Sequence, residues 1–197
     1  MSDPTRWWWV RHAPTHSKGF VGWTDIEADL SDIDRIHALS GLLPERAKVL
    51  TSDLRRTVAT EAALRRTGWD APDQLPALRE QHFGAWDGRT AAAVEADDGE
   101  RLARFWQDMA HASPPDGESF AELANRVRRE IEAQNETGSG DVVAVVHAGV
   151  IRAALAVALD LSPVRALAFD IAPLSLTRLT WYGTENGWGV EGVNMPA

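Results

Sequence analysis

Five side chains far apart in the sequence carry the chemistry that stands out: Arg11, His12, Arg56, Glu80 and His147. Together they are the parts needed to attack a phosphate ester. A neutral imidazole is a nucleophile, a guanidinium fork matches two phosphoryl oxygens, and a carboxylic acid can protonate the departing oxygen. Each also has an ordinary structural reading. A histidine that closes an apolar strand is commonly a hydrogen-bonded rim residue, and Glu80, beside Arg79, could pair with it or face water. Arg56 is harder to account for in that way. It stands four residues after Ser52, in the first turn of an expected helix, where a cation opposes the helix dipole. The case for a site rests on the five taken together.

The elements that must position them can be read from local pattern. Arg11-His12 closes the apolar run Trp7-Trp8-Trp9-Val10, and His147 closes Val142-Val143-Ala144-Val145-Val146. Runs this apolar read as strands buried on both faces, and open α/β sheets place their sites beyond the carboxyl ends of such strands. Short Val- and Trp-rich runs alternate with longer helical patterns, the rhythm of βαβ units. The pattern predicts strands near 6–11, 47–51, 142–147, 166–170 and 174–181. It predicts one helix from Ser31, as N-cap, to near Gly41, and another from about Asp53 to Arg66. Ser119-Phe120-Ala121-Glu122 has capping-box spacing, so a helix is expected from Phe120 to about Gln134, with the Ser119 hydroxyl in a structural role. Helical stretches at Thr90 to Ala96 and Glu100 to Ala110 lie between sheet-forming regions. The expected fold is α/β, a three-layer sandwich around a mostly parallel sheet. It is read as a single domain over residues 1–197 with a helical cap inserted at about 79–135.

Composition narrows the function classes. A chain of 197 residues buries about 70% of the surface its unfolded form exposes, so a full core is available. With 44% hydrophobic and 25% charged residues it has ordinary globular content, and no apolar stretch approaches the roughly 20 residues of a membrane helix. The start, Met1 to Arg6 followed by four apolar residues, lacks the longer apolar core of a secretory signal, and there is no Cys to form disulfides. The expectation is a cytoplasmic protein with no membrane partner. A net charge of −9 and the lack of a basic stripe argue against nucleic acid. A phosphorylated ligand would have to be drawn by a local cation cluster, since exposed charges are screened beyond about 10 Å at roughly 0.1 M salt.

The order and spacing of the motifs resemble those of the histidine phosphatase superfamily, over roughly residues 6 to 180. Arg11-His12-Ala13-Pro14-Thr15 is similar to its Arg-His-Gly-x-Thr box, Ser52-Asp53-Leu54-Arg55-Arg56 to its Ser-x-Leu-x-Arg segment, and Val145 to Arg152 to its second histidine box. Leu78 to Gly88 resembles the segment that delivers an acid in the phosphatase branch, and Pro115 to Phe120 a later stretch of it. The resemblance implies that His12 is the nucleophile, that Arg11, Arg56 and His147 bind the phosphoryl oxygens, and that Glu80 protonates the leaving oxygen. Two guanidiniums beside His12 would disfavour its protonation, and a helix starting near Gly149 would aim its amides at the same oxygens. Phosphate-monoester hydrolysis needs up to ~10²¹-fold acceleration, while one general acid supplies ~10² to 10⁴. The Arg and His cluster must therefore contribute most. No cofactor is implied, and the partner is a small phosphorylated substrate.

The chain departs from the family pattern at several positions. Ala13 and Ala148 replace glycines after the histidines, which still lets backbone amides approach phosphate if neither needs a positive φ. Lys18 stands where many members have an asparagine that contacts phosphate. Gly22-Trp23-Thr24-Asp25 resembles a loop that lines the pocket, with a turn glycine and a packed Trp as the equal alternative. Lys18, Gly22 and Ala148 are thus the candidate substrate-binding residues. A metal site of His12, His16, His82 and Glu80 is disfavoured, because Pro14 puts His12 and His16 in a loop rather than at helical ligand spacing. Trp23, Trp86 or Trp106 could line an apolar leaving-group pocket. Three alternatives stay open: an α-ribazole-phosphate phosphatase, suggested by the Glu80 segment and residues 115 to 127, a cofactor-dependent phosphoglycerate mutase, and a phospho-ligand binding module without turnover. Gln81-His82-Phe83 lacks the mutase pattern.

Overall fold

A computed structural model describes residues 3–197. Met1 and Ser2, part of the amino-terminal stretch considered above as a signal sequence, lie outside the described residues. In chain order the elements are β1 (Thr5–Arg11), α1 (Ile33–Leu42), β2 (Arg46–Thr51), α2 (Arg55–Leu64), β3 (Gly68–Trp69), β4 (Asp73–Gln74), α3 (Ala91–Gln107), α4 (Phe120–Thr137), β5 (Gly140–Val146), α5 (Ala148–Leu159), α6 (Pro163–Ala166), β6 (Leu176–Trp181) and β7 (Trp188–Met195). The strands form one sheet in the order β3-β2-β5-β1-β6-β7, with β4 also on β2. Strands β1 to β5 pair in parallel, while β6 and β7 are antiparallel.

Side-chain alternation sorts the strands onto two cores. Trp7 and Trp9 of β1 and Val142, Ala144 and Val146 of β5 face one side, where α4, α5 and α6 cover them. Val10, Val143 and Val145 face the other, with Ile36 and Leu39 of α1 and Leu64 of α2. Both faces are covered, which is why these strands are apolar throughout rather than alternating. The result is the three-layer α/β sandwich expected. Trp7 and Trp9 stack at 4.7 Å between ring centroids, two positions apart on the same face.

The expected cap divides in two. Phe105, Leu102 and Val94 of α3 pack with Trp86, Phe83 and Phe20 in a separate small cluster. By contrast, Phe120, Leu123, Val127 and Ile131 of α4 belong to the main core. α3 joins the two predicted helical stretches across non-helical dihedrals at Asp98. The capping box of α4 is present, Ser119 accepting from the Glu122 N–H and Glu122 from the Ser119 N–H.

Several local expectations are corrected. No strand forms at 166–170: Pro163 sits at the start of the short helix α6, and buried Ala166 packs into the main core. A short apolar run does not distinguish strand from helix by period, and Pro at a first helical position favours helix. The strand expected at 174–181 starts at Leu176 instead, because Leu174 adopts a left-handed φ of 52°. α1 is capped by Asp32, not Ser31, and Gly41 lies inside it. α2 is shorter than expected at both ends. β7 was not foreseen, since Gly189 and Gly192 and its polar positions give it no strand period; it forms by pairing with β6.

Candidate active site

The three central parallel strands deliver the cluster. Arg11 pairs with Val146 across β1 and β5, so His12 and His147 each follow the last residue of neighbouring strands. Their rings meet edge to face at 5.2 Å. Thr51 pairs with Val145 on the other side of β5, which brings Ser52 to His147 and starts α2 with Arg56 in its first turn. The five residues therefore gather at the carboxyl edge of the sheet, as open α/β sheets require. A larger surface hollow, about 650 Å³, lies by Tyr182 to Asn186, next to the amino-terminal end of β1 and away from this edge.

His12 is buried, and its Nδ1 lies 2.7 Å from its neighbour's carbonyl, Ala13 O. A carbonyl can only accept, so Nδ1 carries the proton and Nε2 keeps its lone pair. Burial, opposed by that hydrogen bond and reinforced by Arg56 and Arg11, lowers the His12 pKa to about 3. The ring is neutral near pH 7. Desolvation leads, with the two arginines second to it. Ala13 is buried without a positive φ, but its N–H is committed to Thr60 Oγ1 at 3.0 Å and is not aimed at a ligand.

Arg56 is fully buried and held by three acceptors: Nε donates to His147 Nδ1 at 3.3 Å, Nη1 to the Thr24 carbonyl at 3.0 Å and Nη2 to the Gly22 carbonyl at 2.6 Å. Since Arg56 must donate, His147 Nδ1 accepts, which leaves the His147 proton on Nε2, 2.8 Å from Ser52 Oγ. Burial, with His12 and the arginines, holds His147 well below its ordinary pKa. Arg11 donates from Nη1 to the Ile171 carbonyl at 2.6 Å, and its buried Nε has no partner. Such an orphaned donor beside the histidines calls for an anion.

Glu80 completes the group. Its two carboxylate oxygens accept from the Gly149 N–H at 3.1 and 3.2 Å, so the start of α5 faces this carboxylate. A Cβ on Gly149 would lie 2.2 Å from Glu80 Oε1. Ala148, half-buried and without a positive φ, is the first residue of α5. Gly22 is buried and its role is indirect, its carbonyl holding Arg56; a side chain there would come within 2.1 Å of the Gln81 carbonyl. Lys18 is exposed and joins none of the side-chain hydrogen bonds or ion pairs among the described residues.

Supporting residues escaped the sequence reading. Asp87 accepts from the N–H groups of Gly22, Trp23 and Thr24 and from the Thr24 hydroxyl, so it shapes the loop whose carbonyls hold Arg56. Burial works to raise the Asp87 carboxyl, but these donors outweigh it and keep it below its ordinary range. Arg126 pairs with Glu118 and donates to the Ala77 and Glu80 carbonyls, and Trp23 Nε1 also donates to the Glu80 carbonyl. No motif signals these contacts; the usable hint is an acid beside a turn glycine, Asp87-Gly88. His16 pairs with Asp29 on the surface and His82 packs on Trp23, and no group of three or more possible metal ligands gathers among the described residues. Trp86 is buried in the cap cluster, while Trp106 lines a pocket with Glu80.

The profile of the histidine phosphatase superfamily (branch 1) matches residues 7–195. Glucosyl-3-phosphoglycerate phosphatase of Mycolicibacterium vanbaalenii is 34% identical over 166 residues, covering 77% of this chain and 73% of that protein. Adenosylcobalamin/alpha-ribazole phosphatase of Salmonella typhimurium is 30% identical over 154 residues, 74% of this chain and 75% of that protein. The native structure of a mycobacterial glucosyl-3-phosphoglycerate phosphatase superposes with a TM-score of 0.83 at 28% identity, covering 98% of this chain and 99% of that one. With paired histidines beside Arg11 and the buried Arg56 at the sheet edge and a match over nearly its whole length, this chain belongs to the histidine phosphatase superfamily.

Proposed function

We propose that the protein hydrolyses the phosphomonoester of a small metabolite through a phosphohistidine on His12. The observation that carries this reading is the His12 tautomer: Nδ1–H held by the Ala13 carbonyl, Nε2 bare, and a pKa near 3. In the first step the Nε2 lone pair attacks phosphorus, the bond to the leaving oxygen breaks, and Glu80 gives that oxygen a proton. The charge gained by the imidazole is shared through Nδ1–H with the Ala13 carbonyl. In the second step Glu80 takes a proton from water as its oxygen attacks phosphorus, the P–N bond breaks, and inorganic phosphate departs with His12 restored. Arg11, with its orphaned Nε, and Arg56 stabilise the transferring phosphoryl group. For His147 to donate to a phosphoryl oxygen its Nδ1 must carry the proton, which requires Arg56 Nε to turn from that nitrogen to the phosphoryl group and Ser52 to donate to Nε2, as a hydroxyl can.

The chain reads as one domain with the α3 cluster as its cap, acting in the cytoplasm, where charged phosphate esters are retained. No described helix is long and apolar enough to cross a membrane. The relatives named as phosphatases support hydrolysis over binding alone. The test is turnover of p-nitrophenyl phosphate with an alkaline denaturing quench: a base-stable, acid-labile phosphoenzyme is expected in the wild type and not in His12→Ala. Turnover by His12→Ala at the wild-type rate would end the nucleophile assignment, and transfer of phosphate between phosphoglycerates would favour a mutase.

A further inference from the structure

Beside Glu80 and Gly149 lies a cavity of about 170 Å³. Its apolar wall comes from Phe20, Phe83, Phe105, Trp106 and Met109. The rings of Phe20, Phe83, Phe105 and Trp106 lie 5.1 to 6.4 Å apart, centroid to centroid, in the pairs that touch. Apolar cavities of roughly 150 Å³ take up a benzene-sized molecule, so this one has room for a single ring. Its hydrophilic side chains are Glu80, Gln81 and Arg152. The Gln81 amide already donates to the Glu118 carbonyl, which leaves few groups to satisfy the hydroxyls of a sugar.

Arg152 is the unexplained member of this wall. It is half-buried, its Nε donates to the Phe169 carbonyl at 2.8 Å, and among the described residues it has no acidic partner. It stands near enough to Arg11 to disfavour that residue's charge. A half-buried guanidinium without a carboxylate, facing an aromatic pocket next to the reaction centre, suits an anion brought by the ligand.

We propose, resting on the phosphatase reading above, that the preferred leaving group is a single aromatic ring bearing a carboxylate. The ring packs among Phe20, Phe83, Phe105 and Trp106, the carboxylate meets Arg152, and the ester oxygen faces Glu80. The phosphoryl group itself stays with His12, Arg11 and Arg56.

The test compares 3-carboxyphenyl phosphate, phenyl phosphate and 3-phosphoglycerate, with the wild type, Arg152→Gln and Trp106→Ala. The two aryl esters differ in charge and little in the basicity of their leaving groups. Wild-type kcat/KM is expected to favour 3-carboxyphenyl phosphate over each of the others by about tenfold or more, the size of one charge-assisted hydrogen bond or one ring contact. Arg152→Gln should remove the preference over phenyl phosphate, and Trp106→Ala should reduce the preference over phosphoglycerate. Equal losses on both aryl esters in Arg152→Gln would assign Arg152 to the phosphoryl group and overturn the proposal, as would a wild-type preference for phosphoglycerate or for a glucosylated phosphoglycerate. Circular dichroism of each variant separates misfolding from lost selectivity; Arg152→Met replaces Arg152→Gln, and Trp106→Leu replaces Trp106→Ala, where either does not fold. Failure of p-nitrophenyl phosphate hydrolysis would instead sink the phosphatase reading itself.

Discussion

Gly149 holds the Glu80 carboxylate by both oxygens through one backbone N–H, at 3.1 and 3.2 Å. The acid is placed by a residue that has no side chain, and the placement requires that it have none. A Cβ at Gly149 would lie 2.2 Å from Oε1 and 3.3 Å from Cδ of Glu80. Gly149→Ala is therefore expected to displace Glu80 and lower kcat by up to the ~10² to 10⁴ that a general acid supplies. The loss should be larger for an alkyl phosphate than for p-nitrophenyl phosphate, whose leaving oxygen needs less help from a proton. An equal loss on both substrates would point away from Glu80.

The cluster and the acid should separate in mutant kinetics. His12→Ala and Arg56→Ala are expected to lower kcat/KM by about 10³-fold or more, because one removes the nucleophile and the other the buried charge on the phosphoryl group. Glu80→Gln should cost about 10²-fold. Arg56→Lys should not rescue, since a single ammonium cannot bond His147, Thr24 and Gly22 at once. Steady-state kinetics on the four variants would decide the order.

Asp87 should act through Arg56. Removing its carboxylate in Asp87→Ala leaves three loop N–H groups without their acceptor, a cost of about 1–3 kcal/mol for each one that stays buried and unpaired, and lets the carbonyls that hold Arg56 drift. A fall in kcat/KM of about tenfold or more is expected, with the double variant Asp87→Ala/Arg56→Ala no worse than Arg56→Ala alone. Additive losses would show that Asp87 works independently of Arg56.

Both histidines should make the fold acid-sensitive. The folded pKa of His12 is about 3, depressed from 6.5, and that of His147 is also well below it. Below pH 6.5 the unfolded chain takes up protons that the folded state refuses, so stability is full above that value and falls as pH drops toward 3. Each ring contributes a slope of up to about 1.4 kcal/mol per pH unit in that window. Urea unfolding across the range should show a shallower dependence in His12→Gln, and activity should show no break near 6.5 from His12.

Trp9 tests the sheet. It is fully buried and stacked on Trp7, yet its indole N–H has no partner. Trp9→Ala is expected to cost about 3–5 kcal/mol, while Trp9→Phe should cost far less because it also removes an unpaired buried donor. Denaturant midpoints for the two variants would measure the difference.

Residue types and short-range spacing were enough to name the five-residue cluster, the strands that end in Arg11 and Val146, and the capping box at Ser119. These signals depend on neighbours within a few positions: the apolar run before each histidine, the hydroxyl three residues before Glu122. What the tertiary structure decided lies in contacts between distant segments. The adjacency of β1 and β5 joins His12 to His147; the bond between Glu80 and Gly149 spans 69 positions, and that between Arg56 and His147 spans 91. The depressed pKa of His12, the support from Asp87 and Arg126, and the aromatic pocket with Arg152 all follow from such contacts. The apolar run at 166–170 failed as a strand for the same reason. Local pattern states what a segment can bury, and only the packed neighbours determine which surface it is buried against and which charges it meets there.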